Sequence, residues 1–216
     1  MSPASPLLLA LDTSTSTASV ALFDGQRVVS ETTWLAGREH STRLLVEIDV
    51  ALERIGRTAP DLTGLVVARG PGSFTGVRVA LSVAKGMAAG LGIPLWGVNS
   101  LDALALAAGN ADLLVRAVLE AGRGRYASGL YAGGVAVEPP RLATLDELAE
   151  LIQDRTVVIG ELGRAARTRL ATETRAHVAA PAACLRRAGF LAELGWRMAS
   201  RGEPGDPRLV DALYIS

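Results

Sequence analysis

The sequence predicts an α/β fold in two lobes, the second smaller than the first, and three observations predict it. Three strand-like segments open the chain with no helix between them, which argues against a Rossmann sheet built from βαβ units. After residue 41 helical and strand-like segments alternate. The composition then changes over residues 99–112, where a small, apolar stretch from Leu101 to Ala108 is broken by Gly109-Asn110.

Residues 7–11 are continuously apolar and read as a buried strand. Ser19 to Phe23 and Arg27 to Trp34 read as two more strands, joined by Asp24-Gly25, a dipeptide suited to a tight hairpin. A helix over 41–55 sets Leu44, Leu45, Ile48, Ala51, Leu52 and Ile55 on one face. A strand at 65–68, a glycine turn, a helix over 76–91 and a strand at 95–98 follow, and residues 1–104 make the first lobe. The second lobe, 105–183, takes strands near 113–119 and 126–131, a helix near 144–153 and a strand at 156–159. Residues 184–200 read as a helix with Leu185, Phe190, Leu191, Leu194 and Met198 inward. No internal repeat stands out.

Composition bounds the chemistry. With 216 residues and 49% hydrophobic content the chain can bury a substantial core. Its 22 basic and 22 acidic residues cancel, so it lacks the basic excess of a protein that grips nucleic acid alone. Cys184 is the single cysteine, which excludes an intrachain disulfide and fits a reducing cytoplasm. The start has no basic segment, its apolar run ends at Asp12, and no stretch approaches the roughly 20 apolar residues of a membrane span. His40 and His177 stand far apart and the chain has one cysteine, Cys184, a poor supply of metal ligands. His40 is expected to cap or pack near its helix start.

The densest signal is Arg69-Gly70-Pro71-Gly72-Ser73-Phe74-Thr75-Gly76-Val77-Arg78, set between a β-branched run and a helix. Gly70, Gly72 and Gly76 permit positive φ and close backbone approach, and Ser73 or Thr75 can cap the helix. Such a turn either holds an anion on free amides or ties strand to helix with no ligand. It is not a P-loop, because no Gly-Lys-Ser or Gly-Lys-Thr closes it. Nor is Ser73 a hydrolase nucleophile elbow, since Pro71 stands where the first glycine belongs.

This run, with Ala84-Lys85-Gly86, Ile93-Pro94-Leu95-Trp96-Gly97-Val98-Asn99-Ser100-Leu101, Leu11-Asp12-Thr13-Ser14-Thr15, His40-Ser41 and Leu213-Tyr214-Ile215, resembles the TsaB family. That family supplies the non-catalytic subunit of the bacterial machinery for threonylcarbamoyladenosine in tRNA. The likeness is dense over residues 7–104. It implies a ribonuclease-H-like fold, the superfold of actin, sugar kinases and Hsp70, whose last helix returns to the first lobe. It implies a TsaD-like catalytic subunit and a TsaE-like ATPase as partners, with tRNA bound by the assembly, and no cofactor.

In that superfold Asp12-Thr13-Ser14-Thr15 ends the first strand, where a phosphate-facing loop and a metal-bound carboxylate belong. Here Ser14 replaces the expected glycine, and Asp12 and Thr13 equally serve to turn the strand. Asp12, Thr13, Gly72, Ser73 and Thr75 are therefore the anion- or nucleotide-facing candidates. Glu120-Ala121-Gly122-Arg123-Gly124 and Gly160-Glu161-Leu162-Gly163 depart from the family's usual sequences. TsaD carries a His-x-x-x-His metal pair after Val-Asn; the positions here are Ser100 and Leu104. A scaffold or activator subunit without catalytic or metal-binding residues is the expectation. The alternative is a freestanding metal-dependent peptidase or small-substrate kinase of the same superfamily.

Two helices carry the expected docking surface. Val46 and Val50 lie among charged residues, opposite the apolar face of the 41–55 helix. The 76–91 helix is apolar almost all round, with Arg78 and Lys85 on one side and Ala84 and Ala88 among its small residues. The resemblance points to pairing through these helices, with the catalytic homologue or, for the chain alone, as a homodimer.

Overall fold

The computed structural model describes residues 5–36, 40–109 and 113–215, with the backbone alone at 40–42. The readings of the His40 side chain and of Asn110 fall outside these residues. The chain forms two compact units, one of residues 1–99 with 186–213 and the other of residues 100–185 with 214–216.

The first unit opens with β1 (Leu8–Asp12), β2 (Thr17–Phe23) and β3 (Val28–Leu35). At the hairpin between β2 and β3, Gly25 takes φ 89°, and the Asp24 carboxylate accepts the Gln26 and Arg27 amides at 2.9 Å. Then come α1 (His40–Glu53), β4 (Gly64–Ala68), α2 (Phe74–Leu91) and β5 (Leu95–Val98). The sheet order is β3-β2-β1-β4-β5. β1 pairs antiparallel with β2 and parallel with β4, so the opening hairpin and the later alternation meet on one central strand. This is the ribonuclease-H-like arrangement.

The second unit holds α3 (Ser100–Ala107), β6 (Leu114–Glu120), β7 (Arg125–Ala132), β8 (Val135–Ala136) and β9 (Arg141–Thr144). It continues with α4 (Leu145–Glu150), β10 (Thr156–Gly160), α5 (Arg164–Leu170) and β11 (Ala176–Val178). Its sheet runs β11-β10-β6-β7-β8, with β9 also on β7. Again a central strand, β6, takes an antiparallel neighbour on one side and a parallel one on the other. The division after Asn99, rather than after residue 104, follows because α3 packs on β6 and buries Leu101 and Leu104 in this unit's core.

The chain rejoins the first unit at Arg186 and forms α6 (Ala188–Ser200), which packs on β1, β2, β4 and β5. Its buried stripe is Ala188, Leu191, Ala192 and Gly195. A Cβ on Gly195 would collide with the Val66 side chain, so helix and sheet are held at glycine distance. Leu185, expected inward, precedes the helix and is 45% exposed. The opposite face of the sheet is covered by α1 and α2: Leu9, Leu11, Val20, Leu65 and Val67 share one core with Leu44, Ile48, Val77, Ala80 and Ala84. Among the described residues no helix is long and apolar enough to cross a membrane.

Candidate functional site

The end of β1 is a buried polar corner. Asp12, Thr13, Ser14 and Thr15 are all 5% exposed or less, in a protein where such residues are kept inside only when their polar atoms are satisfied. Asp12 Oδ1 accepts the Ser14 amide at 2.9 Å and the Ser14 hydroxyl at 2.6 Å. Its other oxygen accepts the Arg186 guanidinium, whose same nitrogen donates to Ser14 Oγ at 2.7 Å. Arg186 is itself 4% exposed. The candidate carboxylate is therefore paired within its own unit.

The glycine turn closes over this corner. Ser73 N–H donates to the Ser14 carbonyl at 2.6 Å, and the Thr13 hydroxyl donates to the Gly76 carbonyl at 2.6 Å. A Cβ on Gly72 would collide with the Ser14 carbonyl oxygen, and one on Gly76 with that of Thr13. Of the three glycines only Gly70 has positive φ, at 99°, and there a Cβ would come within 2.6 Å of the Leu213 carbonyl oxygen. Gly72 and Gly76 are thus required by close approach and not by backbone angle. Ser73 caps α2, accepting the Gly76 amide at 3.3 Å, whereas Thr75 is an exposed residue of the first turn. Asp12, Thr13 and Gly72 come together as the sequence suggests, but in contact with one another, so the strand-to-helix tie is the use the geometry supports.

The helix pair divides differently from the sequence reading. Ala84 and Ala88 are 0% and 2% exposed and belong to the sheet-facing core, which corrects their assignment to a docking surface. The open side of α2 is a stripe four residues apart, Phe74, Arg78, Ser82, Gly86 and Gly90. Cβ atoms on Gly86 and Gly90 would meet nothing. Phe74 is 55% exposed, with the Arg78 guanidinium 3.6 Å from its ring centroid. Phe74, Arg78, Val79, Ser82 and Val83 line a groove of about 400 Å³. On α1, Val46 is 55% exposed and Val50 half-buried. Leu45, read as core, is 50% exposed and extends the apolar surface. Lys85 Nζ bonds Asp211 at 3.1 Å. The i, i+4 spacing from Phe74 to Gly90 was a usable signal for this stripe; for Arg186 local sequence offered none.

The second unit offers little chemistry. Gly122, Arg123 and Gly124, at φ 76°, 54° and 70°, make the tight turn from β6 to β7. Gly160, at φ 132°, lies against the Val118 carbonyl. Ser100 and Leu104 are 0% and 2% exposed, and neither a hydroxymethyl nor an isobutyl group replaces an imidazole ligand. Among the described residues no three His, Cys, Asp or Glu side chains converge. These residues do not fit the metal of a TsaD-type site. Asp102 accepts the Tyr131 hydroxyl at 2.7 Å; burial raises the carboxyl pKa above its usual range, and the hydrogen bond offsets part of that.

Comparison with known proteins now has geometry to rest on. The profile of the family described as TsaD, tRNA N6-adenosine threonylcarbamoyltransferase, matches residues 33–179. The chain is 37% identical over 124 residues to the Bacillus subtilis "tRNA threonylcarbamoyladenosine biosynthesis protein TsaB", covering 57% of this chain and 54% of that protein. Against the Escherichia coli protein of the same name it is 40% identical over 98 residues, 45% of this chain and 42% of that one. The chain thus aligns with about half the length of these relatives. A Pseudomonas aeruginosa crystal structure, described as an uncharacterized protein with similarity to peptidase YEAZ, superposes with TM-score 0.82 at 26% identity, covering 98% of this chain and all of that one. The chain belongs to the family described as TsaD, tRNA N6-adenosine threonylcarbamoyltransferase, and the curated relatives it resembles within half their length are named TsaB.

Proposed function

We propose that this chain is a non-catalytic subunit for threonylcarbamoyl transfer to adenosine in tRNA, which works by docking a TsaD-like catalytic homologue. The observation that carries the reading is the open side of α2. Phe74, Val79 and Val83 offer apolar area, while Ser82, Gly86 and Gly90 let another backbone come close. Leu45 and Val46 extend this surface on α1, and Arg78 supplies a cation beside an aromatic ring. The candidate carboxylate is occupied by Arg186 and the metal positions hold Ser100 and Leu104, which supports a supporting role over a freestanding peptidase or kinase. A TsaE-like ATPase completes the assembly, and tRNA is held by the complex, in the cytoplasm, since this chain has no net charge to attract it.

Mixing the protein with the TsaD-like homologue from its own genome tests the reading, with complex mass measured by light scattering. Gly86→Arg places a long cation where a backbone should approach, while its Cβ meets nothing in the monomer. It is expected to weaken the complex at least tenfold with an unchanged melting temperature. A complex of undiminished affinity would move docking to another surface.

A further inference from the structure

We propose that Asp12 and Ser14 form a guanidinium-binding site whose resident ligand is the chain's own Arg186. The site is built, not incidental. Carboxylate, hydroxyl and guanidinium are all 4% exposed or less, and a single Arg186 nitrogen is shared between Asp12 Oδ2 and Ser14 Oγ. Ser14 is oriented for this by donating its own hydroxyl to Asp12 Oδ1 at 2.6 Å, which leaves its oxygen lone pairs toward the guanidinium. The other terminal nitrogen of Arg186 is buried with no protein acceptor among the described residues. Recognition therefore runs through one terminal nitrogen of the cation, a demand that any small alkylguanidinium meets.

The segment carrying Arg186 is held by other contacts. Arg187 pairs with Glu31 at 2.6 Å, the Ala188 amide donates to Ser19 Oγ at 2.5 Å, and the Gly189 amide donates to Glu31 Oε1 at 2.7 Å. The first amides of α6 thus find acceptors on β2 and β3. Shortening Arg186 leaves that anchoring in place and vacates the space its buried side chain fills, which ends at the Asp12 carboxylate. Self-occupation is then what keeps this corner closed to outside cations, and the inference stands whether or not the docking role above is correct.

The test uses Arg186→Ala in the full chain and ethylguanidinium chloride at millimolar concentration, with equal sodium chloride as the reference. At tenfold excess over Kd the variant is expected to gain about 3–6 °C in melting temperature, and wild type to gain nothing. Titration calorimetry should give one site, lost in Asp12→Asn/Arg186→Ala. An equal response of wild type and variant, or binding that survives loss of the Asp12 charge, overturns the proposal. Should Arg186→Ala be unfolded in sodium chloride, folding restored by ethylguanidinium supports the site, and its failure to restore folding overturns it. Arg186→Met refills most of that space with an apolar stem and is expected to take up no ethylguanidinium; uptake equal to that of Arg186→Ala would also overturn the proposal.

Discussion

A Cβ added to Gly72 meets the Ser14 carbonyl oxygen, and neither partner has room to yield. The Ser14 carbonyl is held by Ser73 N–H, the Ser14 amide and hydroxyl are held by Asp12, and Asp12 is held by Arg186. Gly72→Ala is therefore expected to cost about 3 kcal/mol, at the upper end of overpacking penalties. Thermal denaturation should show a fall of roughly 6–12 °C for a chain of this size. A melting temperature within one degree of wild type would mean that the turn and the β1 corner are not in contact. The sequence marked this turn correctly but for a partly wrong reason, because glycine serves both positive φ and close approach and composition does not distinguish them. Arg186 lay beyond reach for a different cause: it stands 174 residues from Asp12, and only the completed sheet brings them together.

Helices show where periodicity is sufficient and where it is not. For α1 the spacing of Leu44, Ile48, Ala51 and Leu52 identified the buried stripe, while Leu45 lies at its edge and is exposed. For α2 the whole circumference is apolar or small, so hydrophobic pattern gives no direction; the sheet chooses Ala80, Ala84 and Ala88 and leaves Ser82 and Gly86 outside. Ala84→Arg would test core packing, not docking. In the second unit α3 is tied to β7 by Tyr131 donating to Asp102. Burial raises the Asp102 pKa above its unfolded value of 3.8, so the folded chain retains a proton that the unfolded chain has released. Stability from this group is present below pH 3.8 and is lost as pH rises through the elevated folded value. Asp102→Asn keeps an acceptor for the Tyr131 hydroxyl without the charge. Its melting temperature relative to wild type is expected to climb as pH is raised from 4 to 7. A difference that stays flat, or falls, would show that Asp102 is not desolvated.

At the scale of the whole molecule, the two sheets repeat one plan around β1 and β6, with no matching repeat visible in sequence. The first sheet was legible because its strands are β-branched or apolar and its turns carry glycine. The second was legible only in part: β8, β9 and β11 run two to four residues, too short to show an alternation. Central β6 also carries Arg116, buried at 2% and bonded to Ser128, Glu138 and the Leu151 carbonyl, a charge that local pattern reads as surface. Charge distribution leads to the last prediction. α2 has Arg78 and Lys85 and no acidic residue, whereas α1 exposes Asp49 and Glu53 beside Val46. In a twofold pair of identical chains, α1 of one copy can face α2 of the other, so the surface is complementary to itself. The isolated protein is therefore expected to form a homodimer through the face proposed for the TsaD-like homologue, and one face cannot serve both. Light scattering should show the dimer dissociating as the homologue is added, to give one copy of each. Raising salt from 0.05 to 0.5 M should weaken the homodimer, because exposed charges are screened over about 4 Å at the higher strength. Gly86→Arg should abolish both associations together. Retention of the homodimer within the mixed complex would separate the two surfaces and remove the case for competition.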